Sequence, residues 1–155
     1  AVVEMKVRLK LGKLTGALTT ADLASGTSLD LDDTQITDAG LKDIAKLQNL
    51  TSLSLRNTKI TDAGLKDIAK MQKLTDLYLT VTKITDAGLK DVAKLKQLRE
   101  LSLWRTQITD VGLREVAKLH QLSTLNLNFT KVTKVGVAQL QKALPECKID
   151  HITKK

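Results

Sequence analysis

The 155-residue sequence is poor in aromatic residues, cysteine and histidine. Its single cysteine, Cys147, cannot build an internal disulfide framework, and one cysteine with two histidines is too few for a Cys/His zinc cluster. We therefore expect no metal ion and no cofactor. Because Tyr78, Trp104 and Phe129 are the three aromatic residues, the core must be filled by Leu, Ile, Val and Ala, and the place of each aromatic becomes informative.

Long apolar runs are also missing. No stretch approaches the roughly 18 consecutive apolar residues of a membrane span, and the N-terminus lacks the basic, apolar and small-residue segments of a signal peptide. We therefore expect no membrane insertion. The sequence begins at Ala1 without a methionine, which leaves the cellular compartment open.

The charge is unbalanced toward lysine and arginine, with a net value of +8. This excess favours association with an acidic protein, nucleic acid or anionic lipid without selecting among them. Phosphate recognition calls for clustered arginine with interleaved aromatics, and Trp104 beside Arg105 is the one such pair. Aspartates also stand four residues before lysines and predict ion pairs on solvated helices: Asp38 with Lys42, Asp62 with Lys66, and Asp86 with Lys90. We expect no nucleic-acid binding.

The strongest signal is an unbroken repeat of 24 residues. Five units superpose leucine columns at 29, 53, 77, 101, 125 and at 31, 55, 79, 103, 127, a threonine column at 34, 58, 82, 106, 130, and a glycine column at 40, 64, 88, 112, 136. A period of 20 to 29 residues with this leucine spacing is typical of a leucine-rich repeat solenoid. A unit of that kind cannot bury its apolar face alone and must stack on its neighbours.

Each unit contains a short strand and a short helix. Leu53 and Leu55 are two residues apart, so an extended chain points both to one face. Thr61 or Asp62 can cap the helix that follows, whose apolar positions are Leu65, Ile68, Ala69 and Met71. The predicted fold is a right-handed α/β solenoid with parallel strands on the concave face and helices on the convex face. The repeated glycine indicates close backbone approach or an unusual dihedral angle.

The chain divides into an N-terminal cap (1–28), repeats (29–133) and a C-terminal cap with tail (134–155) of a single domain. Val3, Val7 and Leu11 favour a first helix, although alternating apolar residues leave a strand open, and Leu18 to Leu23 predict a capped helical turn. At the other end, 134–144 predicts a helix stopped by Pro145 and followed by a short strand that contains Cys147 and Ile149.

The motif Ile-Thr-Asp-Ala-Gly-Leu recurs at 36–41, 60–65 and 84–89, with Val for Ala at 108–113. It resembles bacterial leucine-rich repeat proteins related to the cysteine-containing subclass, and the likeness covers 18–149. The resemblance implies a protein-interaction module. This sequence departs from the subclass by having threonine where cysteine or asparagine is frequent, and Lys134 with Val137 where Asp and Leu recur.

Catalysis is not expected. His120 and His151 have no second ligand or nucleophile nearby in the repeat pattern and are interpreted as surface residues, while Cys147 is interpreted as a buried cap residue. Asp30 and Asp32 project from the first strand, but the pattern of a calcium loop fails at the following positions, so at most a weak cation site is expected there.

The three aromatic residues avoid the leucine positions of the core. Stacking the units brings polar and aromatic residues onto the outward side of the strands and the turn beyond, a composition found at interface hot spots. We predict a binding patch for a protein or peptide composed of Arg56, Tyr78, Trp104, Arg105, Asn126, Asn128 and Phe129. We expect a monomer. The alternative is a structural or self-assembling element that uses the same patch and has no separate ligand.

Overall fold

Strands and helices alternate along residues 27–152, the part of the chain that the computed structural model describes. The strands are β1 (Ser28–Asp30), β2 (Ser52–Ser54), β3 (Asp76–Tyr78), β4 (Glu100–Ser102), β5 (Thr124–Asn126) and β6 (Lys148–Asp150). The helices are α1 (Asp38–Ile44), α2 (Asp62–Ile68), α3 (Asp86–Val92), α4 (Asp110–Val116) and α5 (Lys134–Ala143). The predicted elements at Val3 to Leu11 and Leu18 to Leu23 lie outside these residues.

The six strands pair in parallel and in sequence order within one sheet. Leu53 pairs with Leu77, and Leu77 pairs with Leu101, so each strand is offset from the next by the length of one repeat. This register confirms the predicted solenoid of stacked units. It also fixes which side chains of different units become neighbours.

The leucines that point inward form one continuous core. Leu53, Leu55, Leu77 and Leu79 are all fully buried, whereas the residues between them are at least partly exposed. The repeated threonine is buried beside this core, and the Thr82 hydroxyl donates a 2.6 Å hydrogen bond to the carbonyl of Leu79 in its own unit. Strands and helices therefore share a single apolar layer.

Each helix is shorter than the apolar spacing predicts. α2 ends at Ile68, so Ala69 is the C-cap and Met71 lies in the following turn, although Met71 is still buried. Thr61 is the N-cap, and its hydroxyl accepts a 3.3 Å hydrogen bond from the backbone N–H of Ala63. The cap is thus threonine, which leaves the aspartate beside it for another role.

That aspartate joins its unit to the next one. Asp86 Oδ1 accepts a 2.8 Å bond from the backbone N–H of Thr109, and Asp86 Oδ2 accepts a 2.6 Å bond from the Thr109 hydroxyl. The same pair of bonds links Asp38 to Thr61, Asp62 to Thr85, and Asp110 to Thr133. The predicted pairing of these aspartates with lysines four residues later is wrong, because the carboxylates face the neighbouring unit.

The lysines that do form ion pairs lie in the turn after each helix and use a spacing of three residues instead. These pairs measure 2.6 to 2.7 Å and are Lys46 with Asp43, Lys70 with Asp67, Lys94 with Asp91, and Lys118 with Glu115. In the first of them, the hydrogen bond and charge of Lys46 lower the pKa of Asp43. These pairs lie at the protein surface, where such interactions contribute little stability.

The repeated glycine confirms the expectation of close approach. A Cβ on Gly88 would overlap Asp62 Oδ1 and lie 2.6 Å from Leu65 Cδ1 of the preceding unit. The φ angle of Gly88 lies outside the left-handed region. Glycine is therefore required by the lack of room for a side chain and not by its freedom of dihedral angle. Any larger residue would push adjacent helices apart.

The C-terminal end follows the prediction with small shifts. α5 covers Lys134–Ala143, Cys147 is buried just before β6, and burial raises the pKa of its thiol. His151 is not a free surface residue, because it is half-buried and a ring nitrogen lies 3.0 Å from the carbonyl oxygen of Val132.

Candidate functional site

The outward side of the strands, which we call the strand face, places side chains from successive units side by side. Backbone pairing sets Ser54 beside Tyr78, and Ser102 beside Asn126. The ladder continues past the strand ends, where the N–H of Val81 donates to the carbonyl of Trp104 at 2.9 Å. Side chains in the turns beyond the strands are therefore held in the same register as those in the strands.

A depression of about 560 Å³ opens where the strands end. We call this depression the strand-exit groove; its lining residues are Arg56, Asn57, Thr80, Val81, Ser102, Trp104, Arg105 and Asn126. Four predicted patch residues, Arg56, Trp104, Arg105 and Asn126, are brought together in this lining. Tyr78, Asn128 and Phe129 do not line it, and Asn57, Thr80, Val81 and Ser102 were not predicted as site residues.

Trp104 is the centre of a small aromatic and cationic cluster. Its ring centroid lies 5.7 Å from that of Phe129 at an interplanar angle of 84°. The guanidinium carbon of Arg105 lies 4.9 Å from the centroid of the Trp104 ring. An edge-to-face pair and a cation–π contact each contribute on the order of 1 kcal/mol. Trp104 is thus held in one orientation while part of its side chain remains exposed.

Two of these cluster residues belong to a column with a left-handed backbone. Positive φ angles of 52° to 59° occur at Asp33, Asn57, Val81, Arg105 and Phe129. Asn and Asp tolerate this region, but a β-branched or bulky residue does not, at a cost of about 1 to 2 kcal/mol per residue. The later units therefore hold Val81 and Arg105 in strained backbone at the groove, and Phe129 in the same conformation beside it, a feature often found at functional sites.

Arg56 and Arg105 differ in their partners. Arg56 Nε lies 3.8 Å from Asp32 Oδ2, and Asp32 Oδ1 accepts a 2.9 Å bond from the Arg56 backbone N–H. Arg105 has no carboxylate within ion-pair distance among residues 27–152, and its side chain is exposed. The guanidinium of Arg105 is therefore oriented by a ring but not neutralised.

The acidic residues of the first strand are used within the chain. Asp30 Oδ1 accepts a 2.9 Å bond from the backbone N–H of Asp32, whose own carboxylate faces Ser54 and Arg56. Within the described part of the chain, no three His, Cys, Asp or Glu side chains are grouped to hold a metal ion. Among residues 27–152, the weak cation site considered at Asp30 and Asp32 gains no third ligand.

Asn126 belongs to the lining of the groove, and Asn128 lies two residues beyond it. Asn126 Oδ1 accepts a 3.0 Å hydrogen bond from the backbone N–H of Asn128. Asn128 Oδ1 is buried and has no hydrogen-bond partner among the residues of the structure. Elsewhere in the lining, the hydroxyls of Thr80 and Ser102 lie 2.9 Å apart. The groove surface is thus polar between its aromatic and arginine side chains.

Tyr78 lies on the strand face beside acidic residues. Burial, together with the carboxylates of Glu100 and Asp76, raises the pKa of Tyr78 to about 12. The folded state therefore favours the neutral phenol. This preference stabilises the fold at and below pH 10 and is lost as the pH rises through about 12.

We expect an alkaline absorbance titration of the native protein to show tyrosinate forming with a midpoint near pH 12. Tyr78 is the only tyrosine, so the signal needs no assignment. The same titration in denaturant should return to the ordinary value near 10. Identical midpoints in the two states would contradict the half-buried position of Tyr78.

The comparisons with known proteins agree with the repeat architecture. A family model described as "Leucine Rich repeat" matches residues 27–45, 46–69 and 70–93, and one described as "Leucine Rich repeats (2 copies)" matches 96–140. The chain is a leucine-rich repeat protein. Leucine-rich repeat domains generally act as protein–protein interaction modules and are typically non-catalytic. A search of curated proteins gives no significant match.

Solved structures of leucine-rich repeat proteins share the fold at low sequence identity. An internalin from Listeria monocytogenes has 22% identity and a TM-score of 0.63, with 98% of this chain and 55% of that chain covered. A leucine-rich repeat protein of Leptospira interrogans has 22% identity and a TM-score of 0.55, with 83% and 38% covered. The ectodomain of the receptor kinase SOBIR1 from Arabidopsis thaliana has 17% identity and a TM-score of 0.55, with 81% and 68% covered.

These similarities establish the fold alone, and this leucine-rich repeat chain spans about half the length of the internalin. None of the helices in residues 27–152 has the length and apolar character needed to cross a bilayer.

Proposed function

We propose that this domain binds a protein or peptide on its strand face, the concave side of such a solenoid, and performs no catalysis. The observation that carries the proposal is the Trp104 cluster at the strand-exit groove. Tryptophan and arginine are two of the residue types enriched among the interface residues that dominate affinity, and here they lie side by side. We also infer that the repeats are of the bacterial Ile-Thr-Asp-x-Gly-Leu type related to the cysteine-containing subclass, a proposal that rests on the motif at 36–41, 60–65, 84–89 and 108–113.

Pre-organisation supports this assignment. Because Phe129 and Arg105 already hold the Trp104 ring, little side-chain entropy remains to be lost when a partner covers it. The left-handed backbone belongs to the repeat, since Asp33 and Asn57 also adopt it, but Val81, Arg105 and Phe129 are residue types that disfavour it. Binding would explain why such residues occur at or beside the groove.

Self-association through an apolar surface is the second candidate. Val111 and Val135 are the second residues of α4 and α5, and each is 64% exposed. The equivalent residues of earlier units are alanines, at 39, 63 and 87. Light scattering across a range of concentrations tests this candidate. We expect a monomer at every concentration, and growth in mass that Val111→Ala with Val135→Ala abolishes would favour self-association.

Trp104→Ala should weaken binding of a partner by about thirtyfold, because burying this side chain contributes on the order of 2 kcal/mol. The dissociation constants of a captured partner for the wild type and for the variant are compared by titration calorimetry or interferometry. Removing the exposed side chains of Lys66 and Lys90 on the helix side should each change the binding free energy by well under 1 kcal/mol.

The double variant Lys66→Ala with Lys90→Ala is the matched control and is compared at low and high salt. If this control reduces affinity more than Trp104→Ala, and high salt removes the difference, the partner binds the helix side and the proposal is wrong.

A further inference from the structure

Exposed cationic side chains line the edge of the sheet where the strands end. We call this band the strand-exit rim; its exposed cationic residues are Arg56, Lys59, Lys83, Arg105 and Lys131. Of these five rim residues, Arg56 alone has a carboxylate of residues 27–152 within 4 Å of its side chain. That contact, with Asp32, measures 3.8 Å. In the turns that follow the helices, by contrast, Lys70, Lys94 and Lys118 each pair with an acid three residues earlier. The rim is therefore the part of the strand face that would attract an anion.

Two carboxylates, Asp32 and Asp33, lie at the β1 end of the rim beside Arg56 and Asn57. The other carboxylates near the rim are directed elsewhere. The aspartates that follow it at 62, 86 and 110 direct both oxygens to a threonine of the next unit. Asp76 and Glu100 lie at the opposite ends of the strands, where they raise the pKa of Tyr78. The lining of the strand-exit groove contains two arginines and no acidic residue. Its charge is complementary to an acidic segment.

The spacing of the groove residues matches an extended peptide that runs across the strands. Arg56 and Arg105 belong to units two strands apart, a separation of about 10 Å at about 4.8 Å per strand. An extended peptide spans this distance in about three residues. Val81 of the intervening unit and the Trp104 ring offer apolar contact between and beside the two cations.

We propose, on the basis of the proposed function, that the partner is an acidic peptide segment that binds extended in the strand-exit groove, with carboxylates at Arg56 and Arg105 and an apolar side chain against Val81 and Trp104. Arg105 is ready for this role because the Trp104 ring positions its guanidinium without neutralising it. A carboxylate can then form a charge-assisted hydrogen bond with little rearrangement.

A nucleic acid fits the same groove less well. Base stacking needs a free ring face, but Arg105 lies over one face of Trp104 and the ring of Phe129 packs against the same indole. Trp104 is the only aromatic residue of the groove lining, so successive bases have no second stacking platform. Binding of an oligonucleotide is accordingly an outcome that would overturn the proposal.

The first experiment is a selection from a random peptide library on the wild-type protein, with Trp104→Ala as the comparison. Enrichment of acidic sequences that contain an apolar residue, lost on Trp104→Ala, supports the proposal. If neutral or basic sequences are enriched and their enrichment depends on Trp104, the partner is not acidic and this proposal is wrong, whereas the proposed function is still supported. Equal selection by wild type and Trp104→Ala overturns both.

The second experiment uses the fluorescence of Trp104, the only tryptophan, as a direct reporter of the groove. The first probe is a short synthetic peptide of alternating Glu and Leu. Two further peptides have Gln or Lys in place of every Glu, and the fourth probe is a thymidine oligonucleotide. The Glu peptide should shift the emission and bind about tenfold more tightly than the Gln counterpart. Equal or tighter binding of the Gln peptide, the Lys peptide or the oligonucleotide overturns the proposal.

Arg105→Gln should weaken the Glu peptide about tenfold, whereas Arg105→Lys keeps most of the affinity because the charge remains. Arg114→Gln is the matched control, since Arg114 is exposed on α4 of the same unit and faces away from the groove lining. Circular dichroism confirms that each variant is folded. If Arg114→Gln and Arg105→Gln weaken binding equally, the attraction is a general effect of net charge and the groove assignment is wrong.

Discussion

Replacing Leu79 with alanine should lower the free energy of unfolding by about 2 to 5 kcal/mol, because the truncated side chain leaves a cavity in a closely packed core. Leu79 is fully buried, and its unit lies in the middle of the described repeats. Its backbone N–H also donates to Ser102 of the next unit, so the residue belongs to an interface between units as well as to its own. A solenoid depends on such nearest-neighbour interfaces for most of its stability.

The measurement is chemical denaturation followed by circular dichroism. Ser52→Ala is the control, because Ser52 points outward from β2 and is half-buried without a side-chain hydrogen bond in the structure. We expect this control to unfold within about 0.5 kcal/mol of wild type. A Leu79→Ala variant as stable as the control would show that the inward and outward faces of the strands are assigned wrongly.

The strand faces could be predicted from sequence because the period itself carries the information. Once Leu53 and Leu77 are seen to repeat, stacking requires them to be neighbours, and the structure pairs them. The same register brings Phe129 beside Trp104, whose ring also contacts its sequence neighbour Arg105. Contacts that follow from the repeat period can thus be predicted from the sequence without knowledge of the tertiary structure.

The bonds between units could not be predicted from the same pattern. Asp62 and Lys66 have the spacing of a helix ion pair, and the distant partner Thr85 stands 23 positions away with no local signal. The carboxylate bonds threonine because two hydrogen bonds in a partly buried site outweigh one solvated charge pair. The sequence alone does not show whether Asp62 contacts Lys66 or Thr85, and the tertiary structure determines that it is Thr85.

The left-handed column is a second feature that the sequence analysis missed, although a signal existed. Asp33 and Asn57 are residue types that tolerate positive φ, and they occupy one column of the repeat. Val81, Arg105 and Phe129 in the same column hide the signal, because these residues disfavour that backbone. The residues that obscure the structural pattern are also those at or beside the strand-exit groove, which is consistent with selection for binding.

The carboxylate between units should have a large effect on stability. Asp86→Ala removes both hydrogen bonds to Thr109, and we expect a loss of about 2 to 3 kcal/mol because each bond involves a charged acceptor. Asp43→Ala is the control, since Asp43 is an exposed carboxylate whose partner, Lys46, lies in the turn just after its own helix. This control should change the unfolding midpoint little, and an equal loss in the two variants would contradict a special role for Asp86.

Gly112 tests the same contact from the opposite side. A Cβ on Gly112 would overlap Asp86 Oδ1 and lie 2.8 Å from Leu89 Cδ1. Gly112→Ala should therefore destabilise the protein by about 1 to 3 kcal/mol through overpacking, although alanine is the better helix former by about 1 kcal/mol.

Combining Asp86→Ala with Gly112→Ala should destabilise the protein by at least about 1 kcal/mol less than the sum of the single changes, because removal of the carboxylate makes room for the added methyl group. Denaturation of the wild type, both single variants and the double variant gives this coupling directly. Two distant changes would be additive, so additivity here would mean that the helices move apart without contact between Asp86 and the new Cβ. Coupling would instead show that one carboxylate both fixes the distance between neighbouring units and requires glycine beside it, which explains why the Asp and Gly columns recur together.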